Sequence, residues 1–184
     1  MFPELAGKVT SEIARVLDDV DEKKITELVQ SILGAQHIVL CGAGRVGLAC
    51  KGFAMRLGHL GKTAFTIGDS TIPSVGKGDL VIVGSSSGET QTVFDVAVLG
   101  KSKGTRVVLI TANPDSRMAK LADSVLILHT PTKFGTRQGD VSVQPMATLF
   151  EQCLQIVFDV VVLMLMQKTH QRPEDLWARH TNLD

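Results

Sequence analysis

Five short apolar runs recur along the chain, at residues 37–41, 64–67, 80–83, 106–110 and 125–128, each followed by a turn and then by helical spacing or a further turn. The runs are nearly continuous rather than alternating, as strands buried on both faces are. Alternation of such strands with helices predicts an α/β fold: a three-layer α/β/α sandwich around a five-stranded parallel sheet, flavodoxin-like, in a single domain spanning 1–184. A chain of 184 residues is long enough to bury one real core. In sheets of this kind ligands bind at the carboxyl ends of the strands, where the strand order switches.

The flanking segments extend that frame. Leu5, Val9, Ile13, Val16 and Leu17, then Ile25, Leu28, Val29, Ile32 and Leu33, keep helical spacing and predict N-terminal helices over 4–33. Residues 18–21 break the two, with Asp21 as the cap of the second. Pro145 is expected to start a long helix to about Lys168, and the C-terminal helix and tail occupy 145–184. The apolar stretch 156–166 is too short to span a bilayer and is interrupted by Asp159, so it reads as a buried helix. Residues 131–143 read as a polar loop without regular period.

Composition narrows the function. Net charge is +0, with 19 basic and 19 acidic side chains, so no overall field draws nucleic acid or an acidic membrane. With no Tyr and one Trp there is little for bases to stack on. Cys41, Cys50 and Cys153 are odd in number and lack metal-pair spacing, which fits reduced thiols in a cytoplasmic protein. The first residues carry acids early and have no long apolar core, so they do not read as a signal peptide.

Two strand ends carry glycine-rich turns. After the third strand come Gly84, Ser85, Ser86, Ser87, Gly88, Glu89 and Thr90, and then a helix. Free amides and the dipole at a helix start favour an anion. Four hydroxyls add donors without charge, so this turn is expected to hold a phosphate. Glu89 is expected to cap its helix or order the loop. After the first strand, Gly42-x-Gly44-x-x-Gly47 matches a dinucleotide fingerprint, with Asp69 near the place of a ribose-binding acid. Against that reading, Arg45 lies inside the turn, and the serine turn would be left unused.

The segments CGAGRVGLACKGFAMRLGHLG, GSSSGETQTV, TANPDSRMAKLADSVLIL, QPMATLFEQ and the terminal RHTNLD occur in that order from about His37 to Asp184. Together they resemble the 6-phospho-3-hexuloisomerases, members of the sugar isomerase (SIS) domain superfamily. The resemblance implies a SIS-type fold that interconverts D-arabino-3-hexulose 6-phosphate and fructose 6-phosphate, without metal or other cofactor. It implies a homotetramer and a functional partner, hexulose-phosphate synthase, in formaldehyde fixation through the ribulose monophosphate pathway. Three positions depart from the family pattern: Val46 stands where Ser is usual, and Ser86 and Ala147 where Gly is usual.

Moving a carbonyl from C3 to C2 requires taking a proton from the carbon beside it and returning one to the neighbour. The enediolate formed on the way needs a donor or cation at its oxygen. Glu151, which matches the Glu of the family's FEQ, is the expected base. His180, in the RHTNLD tail, is the second catalytic candidate and would reach a neighbouring subunit's site. Arg45 and Gly44 in the first turn, with Ser85, Ser86, Ser87 and Thr90 in the second, are expected to bind the substrate and its phosphate. Lys51, Arg56 and Lys133 are further cations that could lie near the site, while His37 and His59 read as core or surface residues. The rivals are another SIS aldose–ketose isomerase, such as one acting on arabinose 5-phosphate, and a non-catalytic phosphosugar sensor. Such sensors carry a DNA-binding helix-turn-helix domain, for which there is no room before His37. An oligomer is also expected because the apolar stripes at 5–17 and 156–166 are hard to bury within one domain.

Overall fold

A computed structural model describes residues 1–132 and 142–183. In chain order the elements are α1 Phe2–Asp18, α2 Glu22–Gly34, β1 Ile38–Cys41, α3 Gly44–His59, β2 Ala64–Thr66, β3 Leu80–Gly84, α4 Gln91–Ser102, β4 Arg106–Thr111, α5 Arg117–Leu121, β5 Ser124–Ile127, α6 Thr148–Thr169 and α7 Pro173–Trp177. All strand pairs are parallel and the order is β2-β1-β3-β4-β5. That is the flavodoxin-like order, and its switch point lies between β1 and β3.

Side chains alternate between two cores, as strand geometry requires. Ile38, Leu40, Leu80, Ile82, Val108 and Ile110 pack under α2, α3 and α6, with Phe53 and Phe158 stacked at 4.2 Å between their ring centroids. Val39, Cys41, Val81, Val83 and Leu109 pack against Val93 and Ala97 of α4 and Met118 of α5. The three layers are therefore helix, sheet, helix. All three cysteines are free and buried, and burial pushes their thiols up, Cys41 and Cys153 to about 11 and Cys50 to about 12.

Local chemistry fixes the helix starts. Asp21 caps α2, its carboxylate accepting from Lys23 N at 2.8 Å and Lys24 N at 3.4 Å. Ser116 caps α5 through Ala119 N at 3.2 Å. α6 starts at Thr148, three residues later than Pro145 suggests. The cause is Met146, whose φ of 58° takes the chain through a left-handed turn before the helix begins.

α6 is 22 residues long, so by length and composition it could cross a membrane. Here it is the core helix: Phe150, Cys153, Leu154, Phe158 and Val161 are fully buried. Its opposite side leaves Val160 and Leu163 exposed, and Leu48 and Met55 on α3 and Trp177 on α7 are exposed as well. On α1 only Val16 is fully buried and Leu5 is half exposed, so its stripe is only partly covered.

At the amino ends of the strands, buried Asp79 ties its own turn to the start of β1. Its carboxylate accepts from His37 N at 3.0 Å, His37 Nδ1 at 2.9 Å and Gly76 N at 2.7 Å. Burial pushes this carboxyl up, but the bonds from Gly76 and His37 pull harder and hold it below its ordinary value of 3.8. Replacing Asp79 by Ala is expected to cost about 2 kcal/mol, the scale of hydrogen bonds to a charged acceptor. A carboxyl depressed by folding stabilises above its unfolded pKa, and that stability is lost as pH falls through the folded value. Denaturant melts should thus show the full difference from wild type at neutral pH and a shrinking one below pH 3.8.

Candidate active site

A cavity of about 390 Å³ opens at the carboxyl ends of β1 and β3. It is lined by Ala43, Gly44, Arg45 and Val46 from the first turn and by Gly84, Ser85, Ser86, Ser87 and Thr90 from the second. Met146, Ala147, Thr148 and Glu151 close the third side. Among the described residues the amino termini of three helices, α3, α4 and α6, meet there. Each contributes roughly half a positive charge from its dipole, so the cavity is built for an anion.

The serine turn is held from behind. Its carbonyls face β4 and the loop after it: Ser86 O accepts from Ala112 N at 3.0 Å and Thr111 Oγ1 at 3.1 Å, and Ser87 O accepts from Asn113 Nδ2 at 3.2 Å. Gly88 has a φ of 65°, and a Cβ there would lie 2.1 Å from Ser116 Oγ, so only glycine fits. Ser86 Oγ is buried without a protein partner. The Thr90 hydroxyl makes no capping bond although Thr90 is the N-cap of α4. These two hydroxyls of the cavity lining are uncommitted.

Glu89 is spent on order, as expected. Its carboxylate accepts from Arg117 N at 2.9 Å and pairs with Arg117 Nε at 3.0 Å, while Arg117 itself lies 4.1 Å over the Phe94 ring. Asp69 is also spent locally, accepting from Thr66 N at 2.7 Å and Thr66 Oγ1 at 3.1 Å. The glycines of the first turn serve close packing. A Cβ on Gly47 would lie 2.7 Å from Gly42 O, and one on Gly42 or on Gly84 would meet Val46 Cγ1 at 2.8 or 2.7 Å. Val46 thus wedges between the two turns, and the dinucleotide fingerprint is a packing pattern.

On the far wall, Arg45 Nη1 lies 3.0 Å from Glu151 Oε2 and donates to Thr148 Oγ1 at 3.3 Å. The Glu151 side chain is mostly buried and reaches into the cavity instead of back to the helix amides. A carboxylate, a cation and an anion cradle therefore share one space, which is what proton transfer on a phosphorylated carbonyl compound needs.

Seven of the eight residues anticipated from the sequence line this cavity, and His180 does not. It sits against His59, at 5.1 Å between ring centroids, and against Trp177 at 5.0 Å. That is the far end of α3, about 20 Å from the cavity at 1.5 Å per helical residue. Its Nδ1 lies 2.9 Å from Thr181 O. A carbonyl only accepts, so Nδ1 carries the proton and Nε2 keeps the lone pair in neutral imidazole. His59 is buried, and burial first, then Arg56 and His180, pushes its pKa down. Lys51 and Arg56 do not line the cavity, and Lys133 lies outside the described residues. Thr148 and Met146 were not anticipated. The spacing Thr148-x-x-Glu151 is a helix-start signature that could have drawn attention to Thr148.

The model of the SIS domain family matches residues 31–164. The chain belongs to the SIS domain family. This SIS protein is 36% identical over 184 residues to the 3-hexulose-6-phosphate isomerase of Bacillus subtilis (strain 168), covering 96% of this chain and 100% of that one. It is 39% identical over 177 residues to the 3-hexulose-6-phosphate isomerase of Mycobacterium gastri, covering 96% and 88%. Among solved structures it is similar to a Methanococcus jannaschii protein for which a 3-hexulose-6-phosphate isomerase function was inferred. That match has a TM-score of 0.85 at 30% identity and covers 98% of this chain and 99% of that one.

Proposed function

We propose that this SIS protein is a 6-phospho-3-hexuloisomerase, interconverting D-arabino-3-hexulose 6-phosphate and fructose 6-phosphate through an enediol or enediolate. The observation that carries the reading is Glu151 paired with Arg45 across one cavity from the serine turn. The phosphate sits among the hydroxyls of Ser85, Ser86, Ser87 and Thr90 and the helix amides. Anchored there, the sugar extends toward Glu151. Glu151 takes the proton from C2 of the 3-ketose and returns one to C3, and Arg45 faces the oxygen where negative charge develops. Gly44, with a φ of 58° and open space beside it, lets substrate approach the backbone.

His180 belongs to this scheme only across a subunit boundary. α3 carries Arg45 at one end and the His59–His180 pair at the other. A second copy lying antiparallel over the exposed Leu48, Met55 and Leu163 brings its His180 toward this chain's cavity, with Nε2 free to move a proton between the substrate oxygens. The uncovered faces of α1 and α6 support a larger assembly, and a homotetramer is our reading. So too are a cytoplasmic location, operation without cofactor, and coupling to hexulose-phosphate synthase in the ribulose monophosphate pathway.

The test is reverse turnover, with formaldehyde release measured from fructose 6-phosphate in the presence of hexulose-phosphate synthase. Glu151→Gln is expected to lower the rate by at least about 100-fold, the scale of general acid–base catalysis, while fructose 6-phosphate still raises the melting temperature. His180→Ala is expected to be similarly impaired. Mixing the two variants under subunit exchange should restore turnover, because some sites then combine an intact Glu151 with an intact His180. Release that survives Glu151→Gln would refute the assignment of the base, and no recovery on mixing would refute the shared site.

A further inference from the structure

α1 lies outside the alternating unit and is loosely attached, with Val16 its one fully buried residue. Glu12 on this helix bonds to a segment about 130 positions away. Glu12 Oε1 accepts from Val143 N at 2.7 Å, and Oε2 accepts from Ser142 Oγ at 2.7 Å and Gln144 Nε2 at 3.1 Å. Ser142 Oγ accepts in turn from Gln144 N at 3.0 Å, which closes the cluster. One carboxylate thus gathers three consecutive residues.

Those residues lead through Pro145 into the left-handed Met146, then Ala147 and Thr148, which line the cavity, and Glu151 one helical turn on. A side chain at positive φ persists only where its flanks over-determine the backbone. On the far side that flank is α6, anchored in the core by Leu149 and Phe150. On the near side it is the Glu12 cluster. We propose that Glu12 is a positioning residue for the active site, holding the turn that sets the start of α6 and so the placement of Glu151 and Thr148 opposite Arg45. Burial opposes ionisation of Glu12, but the bonds from Ser142, Val143 and Gln144 and the charge of Arg15 outweigh it and keep the carboxyl below its usual range.

This inference rests on the isomerase reading, so wild type and Glu151→Gln are run beside the variants in the formaldehyde-release assay. A displacement of about 1 Å at a reacting group costs on the order of 100-fold in rate. Glu12→Ala is therefore expected to lower kcat/KM by 10-fold or more, mainly through kcat, because the phosphate turn is untouched. Glu12→Gln keeps an acceptor for Val143 N and is expected to recover part of the loss. A merely structural helix would instead lower the melting temperature and leave kcat and KM as they are. If Glu12→Ala does not yield folded protein, the double variant Ser142→Ala/Gln144→Ala opens the same cluster from its other side. With active wild type and a dead Glu151→Gln, a kcat/KM within twofold of wild type in the folded variant overturns the inference. An inactive wild type overturns the isomerase reading instead.

Discussion

Everything in the site depends on one consequence of parallel β-sheet: each crossover helix begins where a strand ends, so helix amino termini gather on one edge. Between β1 and β3 the crossovers diverge to opposite sides, and a crevice opens that no side chain of the sheet fills. α3, α4 and, after a long connection, α6 all point their free amides into it. The opening must stay narrow for those amides to converge on one anion. Val46 sets its floor, touching the space a side chain would need at either Gly42 or Gly84.

The charges are divided in a way that suits catalysis. Among the described residues the proposed phosphate cradle offers dipoles and hydroxyls but no formal cation, while Arg45 stands on the other wall beside Glu151. Glu89, the acid nearest the cradle in sequence, is tied to Arg117 and kept from repelling an anion. In the proposed reading the substrate's phosphate and its reacting carbons meet different electrostatic surroundings, which separates anchoring from chemistry.

The parts of this arrangement made by neighbours in sequence were legible. The strands, the Asp21 cap and the serine turn all follow from local pattern, whereas the Arg117 partner that ties down Glu89 lies 28 residues on. The resemblance to the hexuloisomerases pointed to Glu151 and the first strand-end turn pointed to Arg45, and the fold brings the two within 3.0 Å. What was hidden depends on chain geometry without a local signature. Asp69 stands at ribose-binding spacing but closes its own turn with Thr66. Pro145 looks like a helix start, yet Met146 takes up a positive φ first, which no Met announces. The link from Glu12 to residues 142–144 spans most of the chain and has no periodicity to betray it. His180 was legible as a candidate, but its seat at the far end of α3 appears only in three dimensions.

The central claim is a proton moved between C2 and C3 of a phosphorylated ketohexose. The most direct measurement is proton NMR of fructose 6-phosphate incubated with the protein in deuterated water. A 2,3-enediol intermediate washes deuterium into C3 and leaves both C1 protons in place, and that is the predicted spectrum. Exchange at C1 with C3 untouched would mean a 1,2-enediol and an aldose–ketose isomerase, and would contradict the account.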